Sequence, residues 1–141
     1  MRFWDSSALV PLLVPEASSS QLTGLMREDP AAAVWWSTPV ECASALARLE
    51  RESGMSREGV TLASKLLAIA VPGWTEVPPT DRVRDQAVRL LRLHPLRAAD
   101  ALQLAAALVL AEHDPRTLPF VTRDTQLAAA AEREGFEVLG G

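Results

Sequence analysis

Apolar positions along this chain switch between two spacings. Five short runs read as strands: "RFW" (2–4), the wholly apolar "AAAVWWS" (31–37), "GWTEVPP" (73–79), "PFVT" (119–122) and "FEVL" (136–139). Longer segments with helical spacing separate them. "DSSALVPLLVPE" starts a helix with Asp5, Ser6 and Ser7 as capping candidates and Pro11 and Pro15 as interruptions, and "EASSSQLTGLMRE" gives another. In "STPVECASALARLERES" the spacing predicts Thr38 as N-cap, Pro39 in the first turn and Gly54 just past the end, with Val40, Ala43, Leu46 and Leu49 along one side. "SREGVTLASKLLAIA" offers Leu62, Leu66 and Ile69 as its apolar ridge. "TDRVRDQAVRLLRLH" stops before Pro95, "LRAADALQLAAALVL" follows, and "RDTQLAAAAERE" ends at Gly135. Alternating strands and helices predict an α/β/α sandwich: a central parallel sheet of about five strands, with a helical hairpin inserted after the second. Trp35 and Trp36, as neighbours in a buried strand, are expected to face opposite helix layers.

The chain of 141 residues fits a single domain over 1–141, without repeats or a linker. No apolar run approaches the roughly 18 residues that cross a bilayer, and strand residues begin at Met1, so a cytoplasmic protein is expected. The single cysteine, Cys42, excludes an internal disulfide and reads as a small helix residue. His94 and His113 lack zinc spacing and read as helix-end or surface residues. A formal net charge of −4 argues against a general nucleic-acid coat. The basic charge is uneven, however: "RVRDQAVRLLRLHPLR" (82–97) holds five Arg against one Asp. Such a stripe either positions phosphates or is a solvated helix face.

Asp100 is the anomaly. It interrupts a helix that is apolar on nearly every side, its own stripe being Gln103, Ala107 and Ala111 flanked by Leu104 and Leu110. A carboxylate there needs a partner, because burial of an unpaired charge is costly. Three more acids fall at the carboxyl ends of the predicted strands, where open parallel sheets bind ligands. Asp5 follows the first strand, Glu41 lies in the first turn after the second, and Asp124 follows the fourth. Each also has a plain structural role open to it: Asp5 and Asp124 as N-caps, and Glu41 closing a capping box in "TPVE". Two carboxylates about 4 Å apart repel by roughly 4 kcal/mol at an effective dielectric of 20, so four together call for a cation. An all-oxygen set suits Mg²⁺ or Mn²⁺.

"FWDSSALVPLLVPE", "VECASALAR", "RAADALQLAAAL" and "FVTRDTQLAAAAEREGFEVL" together resemble, in order, the motifs of PIN-domain ribonucleases, and among them the VapC toxins of type II toxin–antitoxin modules. The resemblance implies a site on Asp5, Glu41, Asp100 and Asp124. With Mg²⁺ or Mn²⁺ bound, that site would hydrolyse RNA phosphodiester bonds. Asp5 and Asp100 are then the direct metal ligands, with Glu41 and Asp124 ligating directly or through water. Ser6 and Thr122 match hydroxyl positions that orient carboxylates or waters. The family further implies inhibition by a cognate VapB-type antitoxin and a homodimer, with Trp35, Trp36 and Trp74 available to either surface. Arg82, Arg89, Arg92 and Arg97 are candidates for contacts to the RNA backbone. The family often carries further acids in its last motif, where "TRDTQL" has Asp124 alone. Two other readings stand beside this one. A non-catalytic PIN-like binding module would have no reason to gather four acids. A receiver-like phosphoacceptor domain would want paired acids after the first strand and a lysine after the last, and Lys65 is misplaced for that.

Overall fold

The computed structural model describes residues 1–141. Five strands, β1 (Arg2–Trp4), β2 (Ala32–Trp35), β3 (Thr75–Val77), β4 (Phe120–Val121) and β5 (Val138–Leu139), form one sheet in the order β3-β2-β1-β4-β5. Every pairing is parallel. Seven α-helices connect them: α1 (Ser6–Leu13), α2 (Ser19–Glu28), α3 (Thr38–Glu52), α4 (Arg57–Ala70), α5 (Asp81–Leu93), α6 (Ala98–Leu110) and α7 (Thr125–Arg133). The inserted hairpin is α3–α4. Strand order reverses between β1 and β4, which opens a crevice at their carboxyl ends.

The period-2 alternation of the strands divides the core into two layers. Phe3, Ala33, Trp35, Val77 and Phe120 face α5, α6 and α7. Trp4, Ala32, Val34 and Val121 face α1 to α4, where Leu9, Leu22, Cys42, Leu46 and Leu67 meet them. Phe3 stacks on Phe120 across the sheet with ring centroids 5.3 Å apart. Short strands suffice because both faces are covered, so each residue of β2 is buried.

Several helix faces differ from the expected ones. On α4 the buried residues are Ala63 and Leu67, while Leu62, Leu66 and Ile69 are exposed. Two apolar stripes compete on this helix, and the one carrying the small Ala63 packs inward. On α3 the buried line is Thr38, Cys42 and Leu46, which leaves Val40 exposed at 69% and Ala43 outside as well. Ser37 takes the N-cap position, so Thr38 and Pro39 are the first two helical residues and no "TPVE" capping box forms. Pro11 lies inside α1 without ending it; the helix ends at Leu13, before Pro15. Trp35 is core, but Trp36 is 55% exposed because β2 ends one residue before it. Trp74 packs partly buried against the α1–α4 layer.

Helix ends fall where glycine permits. Gly54 follows α3 with φ +70°, and Gly135 follows α7 with φ +100°. At Gly135 the amide reaches the Glu132 carbonyl at 3.0 Å and the next amide, of Phe136, reaches that of Ala131 at 3.0 Å. A methyl group at Gly135 would stand 3.0 Å from Pro115 Cγ, whereas one at Gly54 would meet nothing within 4 Å. Gly135→Ala is therefore expected to destabilise more than Gly54→Ala, which should cost about 1 kcal/mol. Chemical denaturation of both variants checks the ranking.

Candidate functional site

The crevice between β1 and β4 holds a cavity of about 480 Å³ whose lining includes Asp5, Glu41, Asp100 and Asp124. Separate elements deliver these acids to one place. Asp5 is the N-cap of α1 at the end of β1, and Asp124 is the N-cap of α7 just past β4. Glu41 and Asp100 sit in the first turns of α3 and α6.

The hydrogen bonds divide each anchored carboxylate into a well-anchored oxygen and one that is lightly bonded or without a donor. Asp5 is buried, and its Oδ2 accepts from the Ser7 amide at 3.3 Å, the Ser7 hydroxyl, and Thr122 Oγ1 at 2.9 Å. Its Oδ1 meets only Ser6 Oγ, at 3.5 Å. Glu41 Oε2 accepts from Ser37 Oγ at 3.0 Å and from Gln103 Nε2 at 3.1 Å. Glu41 Oε1 meets only Ser6 Oγ, at 3.4 Å. Asp124 Oδ1 caps α7 through the Leu127 amide at 2.8 Å, and its Oδ2 has no protein donor. Neither oxygen of Asp100 has one. The capping role of Asp5 and Asp124 is thus real, and it consumes one oxygen of each.

The electrostatics follow from this crowding. Burial raises the pKa of Asp5, against the opposing hydrogen bonds from Ser7 and Thr122. Burial likewise raises that of Glu41, with Ser37 and Gln103 opposing. Asp100 is pushed up to about 6, first by burial and then by the negative charges of Asp124, Asp5 and Glu41; Arg97 offsets only part. Cys42, behind the site, is pushed up to about 12 by burial, which makes it an inert packing thiol.

Ser6 lines the cavity and spans Asp5 and Glu41, and Thr122 backs Asp5 from beneath. Of the arginine stripe only Arg97 reaches the cavity. Arg82 and Arg89 line a different depression beside His113. Arg89 is held by Glu134 at 2.6 Å, Glu134 also takes buried His94 at 2.7 Å, and Arg92 is exposed away from the acids. Three contributors escaped the sequence reading. Ser7 holds Asp5, and the "DSS" capping signal pointed at it. Gln103 holds Glu41, one helical turn beyond Asp100. Arg48, on α3, is one of the cavity's two basic residues.

No three acidic, histidine or cysteine side chains stand together as a ready-made cage for an ion. The donor set nonetheless fits Mg²⁺ or Mn²⁺. All free donors are hard oxygens in a net negative pocket, and Mg²⁺ typically takes one or two carboxylates and keeps several waters.

Residues 2–133 match the PIN domain family. The chain is a PIN-domain protein. No curated protein matches it in sequence. Among solved structures it is similar to a chain of a toxin–antitoxin complex from Klebsiella pneumoniae (18% identity, 99% of this chain and 96% of that one, TM-score 0.67). It is similar as well to PAE2754 from Pyrobaculum aerophilum (25%, 92% and 78%, TM-score 0.60). FitAcB from Neisseria gonorrhoeae is a third (16%, 99% and 96%, TM-score 0.66). PIN domains are typically nucleases that use a divalent metal. The sheet and its flanking helices are the PIN-like architecture expected from the motifs, and the receiver-like reading falls with the family match.

The pH dependence of stability tests the crowding. A carboxyl whose folded pKa (about 6) exceeds the ordinary aspartate value of 3.8 binds protons more readily when folded. Ionised Asp100 therefore destabilises the fold fully above pH 6, and that penalty disappears as pH falls toward 4. Without divalent ions, Asp100→Asn is expected to be more stable than wild type at pH 7.5, by about 1 kcal/mol after discounting for partial exposure, with the gap closing by pH 4. Urea unfolding across that range measures it.

Proposed function

We propose that this PIN-domain protein is a Mg²⁺- or Mn²⁺-dependent endoribonuclease that acts as a VapC-type toxin and is inhibited by a cognate VapB-type antitoxin. The observation that carries the reading is the convergence of Asp5, Glu41, Asp100 and Asp124 on one cavity, each with at least one oxygen that meets no protein donor or only the long contact from Ser6 Oγ. Asp5 and Asp100 would hold the ion, and Glu41 and Asp124 would reach it directly or through water. When bound, the ion lowers the pKa of a water and neutralises charge on the phosphodiester. Ser7 and Thr122 fix the unused oxygen of Asp5 and so aim the free one, and Ser6 spaces Asp5 from Glu41. Arg48 and Arg97 at the cavity wall contact phosphates of the RNA, which balances the negative pocket for an anionic substrate.

Similarity to a chain of a toxin–antitoxin complex from Klebsiella pneumoniae supports the antitoxin partner. The exposed apolar face of α4, with Leu62, Leu66 and Ile69, is available for a second copy or for that partner. No helix is long and apolar enough to cross a membrane. The alternative reading is a PIN-like module that binds without cleaving.

One experiment separates the two. Purified protein is incubated with labelled structured RNAs, with Mg²⁺, with Mn²⁺ or with chelator, beside Asp100→Asn. Metal-dependent cleavage that falls at least a hundredfold in the variant is the expected result. RNA binding without cleavage by wild type would support the non-catalytic module, and cleavage that survives chelation would overturn the mechanism.

A further inference from the structure

Gln103 is a fully buried amide on α6, three residues beyond Asp100. Its Nε2 donates to Glu41 Oε2 and to Thr38 Oγ1, both at 3.1 Å and both on the first turn of α3. Its Oε1 is buried and has no partner. An orphaned acceptor in a core is a liability, since an apolar side chain of similar shape would remove it. The amide orientation is dictated by the carboxylate: turned over, Oε1 would face Glu41 Oε2, acceptor against acceptor. Retaining glutamine at this position therefore serves the bond to Glu41.

We propose that Gln103 is a positioning residue that sets which oxygen of Glu41 faces the cavity and at what distance from Asp100. The inference rests on the nuclease reading above. Gln103 and Ser37 together saturate Oε2, which leaves Oε1 beside Asp5 Oδ1 with Ser6 Oγ between them. Because Gln103 shares α6 with Asp100, one rigid helix holds both the second acid and the clamp on the first. A shift of α3 against α6 is resisted at the point where it would separate Glu41 from Asp100.

The test is Gln103→Met, which keeps the bulk and removes both the donor and the orphaned acceptor. Melting temperature, Mn²⁺ affinity by titration calorimetry, and kcat and KM on RNA are compared with wild type. A residue present for stability alone would lower the melting temperature and leave metal affinity intact. The proposal expects Mn²⁺ binding about tenfold weaker or more in the folded variant and a fall in kcat at similar KM, even where loss of the buried bond to Thr38 lowers the melting temperature. If the Met variant does not fold, Gln103→Glu keeps the shape and replaces the amide N–H₂ by an acceptor, and is expected to weaken Mn²⁺ binding likewise. Wild-type Mn²⁺ affinity in a folded variant would overturn the role of Gln103 alone. Wild-type protein that binds no Mn²⁺ would overturn the nuclease reading and this inference with it.

Discussion

The repulsion among four carboxylates at one sheet edge is the constraint on which the rest of this structure turns. The fold works against it to create the site. Asp5 and Asp124 are held by capping their own helices, and the bonds from Ser7 and Thr122 offset part of the cost of burying Asp5. Glu41 is held by Ser37 and Gln103, and Asp100 is held by nothing except the first turn of α6. Asp100, the least anchored acid, is also pushed up, to about 6, by burial and by its three acidic neighbours. With no protein hydrogen-bond donor on either oxygen, its charge depends on a partner from outside the chain.

The parallel sheet supplies the geometry. Chain order brings β1 and β4 side by side only because the strand sequence reverses there, and helices then leave in the two directions that open the crevice. Thr122 and Ser7 sit at that junction. Their hydroxyls lie 3.2 Å apart, and the Ser7 hydroxyl accepts the Arg123 amide at 2.9 Å, so the two strand ends are stitched beneath Asp5. The same bonds that satisfy the loop backbone aim the carboxylate. Structure and site share one set of contacts.

Much of this was legible from the chain. Alternating strands and helices announced a parallel sheet between two helix layers, and Asp100 within an apolar helix announced a site. What was not legible has physical causes. Helical spacing identifies stripes but cannot rank two apolar ones, and on α4 a tight approach favoured Ala63 over the bulkier Leu62–Leu66–Ile69 ridge. Ser37 rather than Thr38 capped α3, which turned the Thr38 hydroxyl inward to meet Gln103. A one-residue shift in a cap thus decided whether Glu41 closed a capping box or faced a cavity. The arginine stripe on α5 was read as a block, yet side chains on one helix point around its whole circumference, and only Arg97, just before α6, reached the acids.

All of the account rests on free carboxylate oxygens of Asp5, Glu41, Asp100 and Asp124 serving one hard cation and its water shell. Diffraction from crystals grown with Mn²⁺, recorded at the manganese edge, looks at this directly. An anomalous peak in the cavity, about 2.1 Å from oxygens of Asp5 and Asp100 and within a water's reach of the other two acids, is the predicted result. Four carboxylates that stay apart at saturating Mn²⁺, with no peak among them, would contradict it.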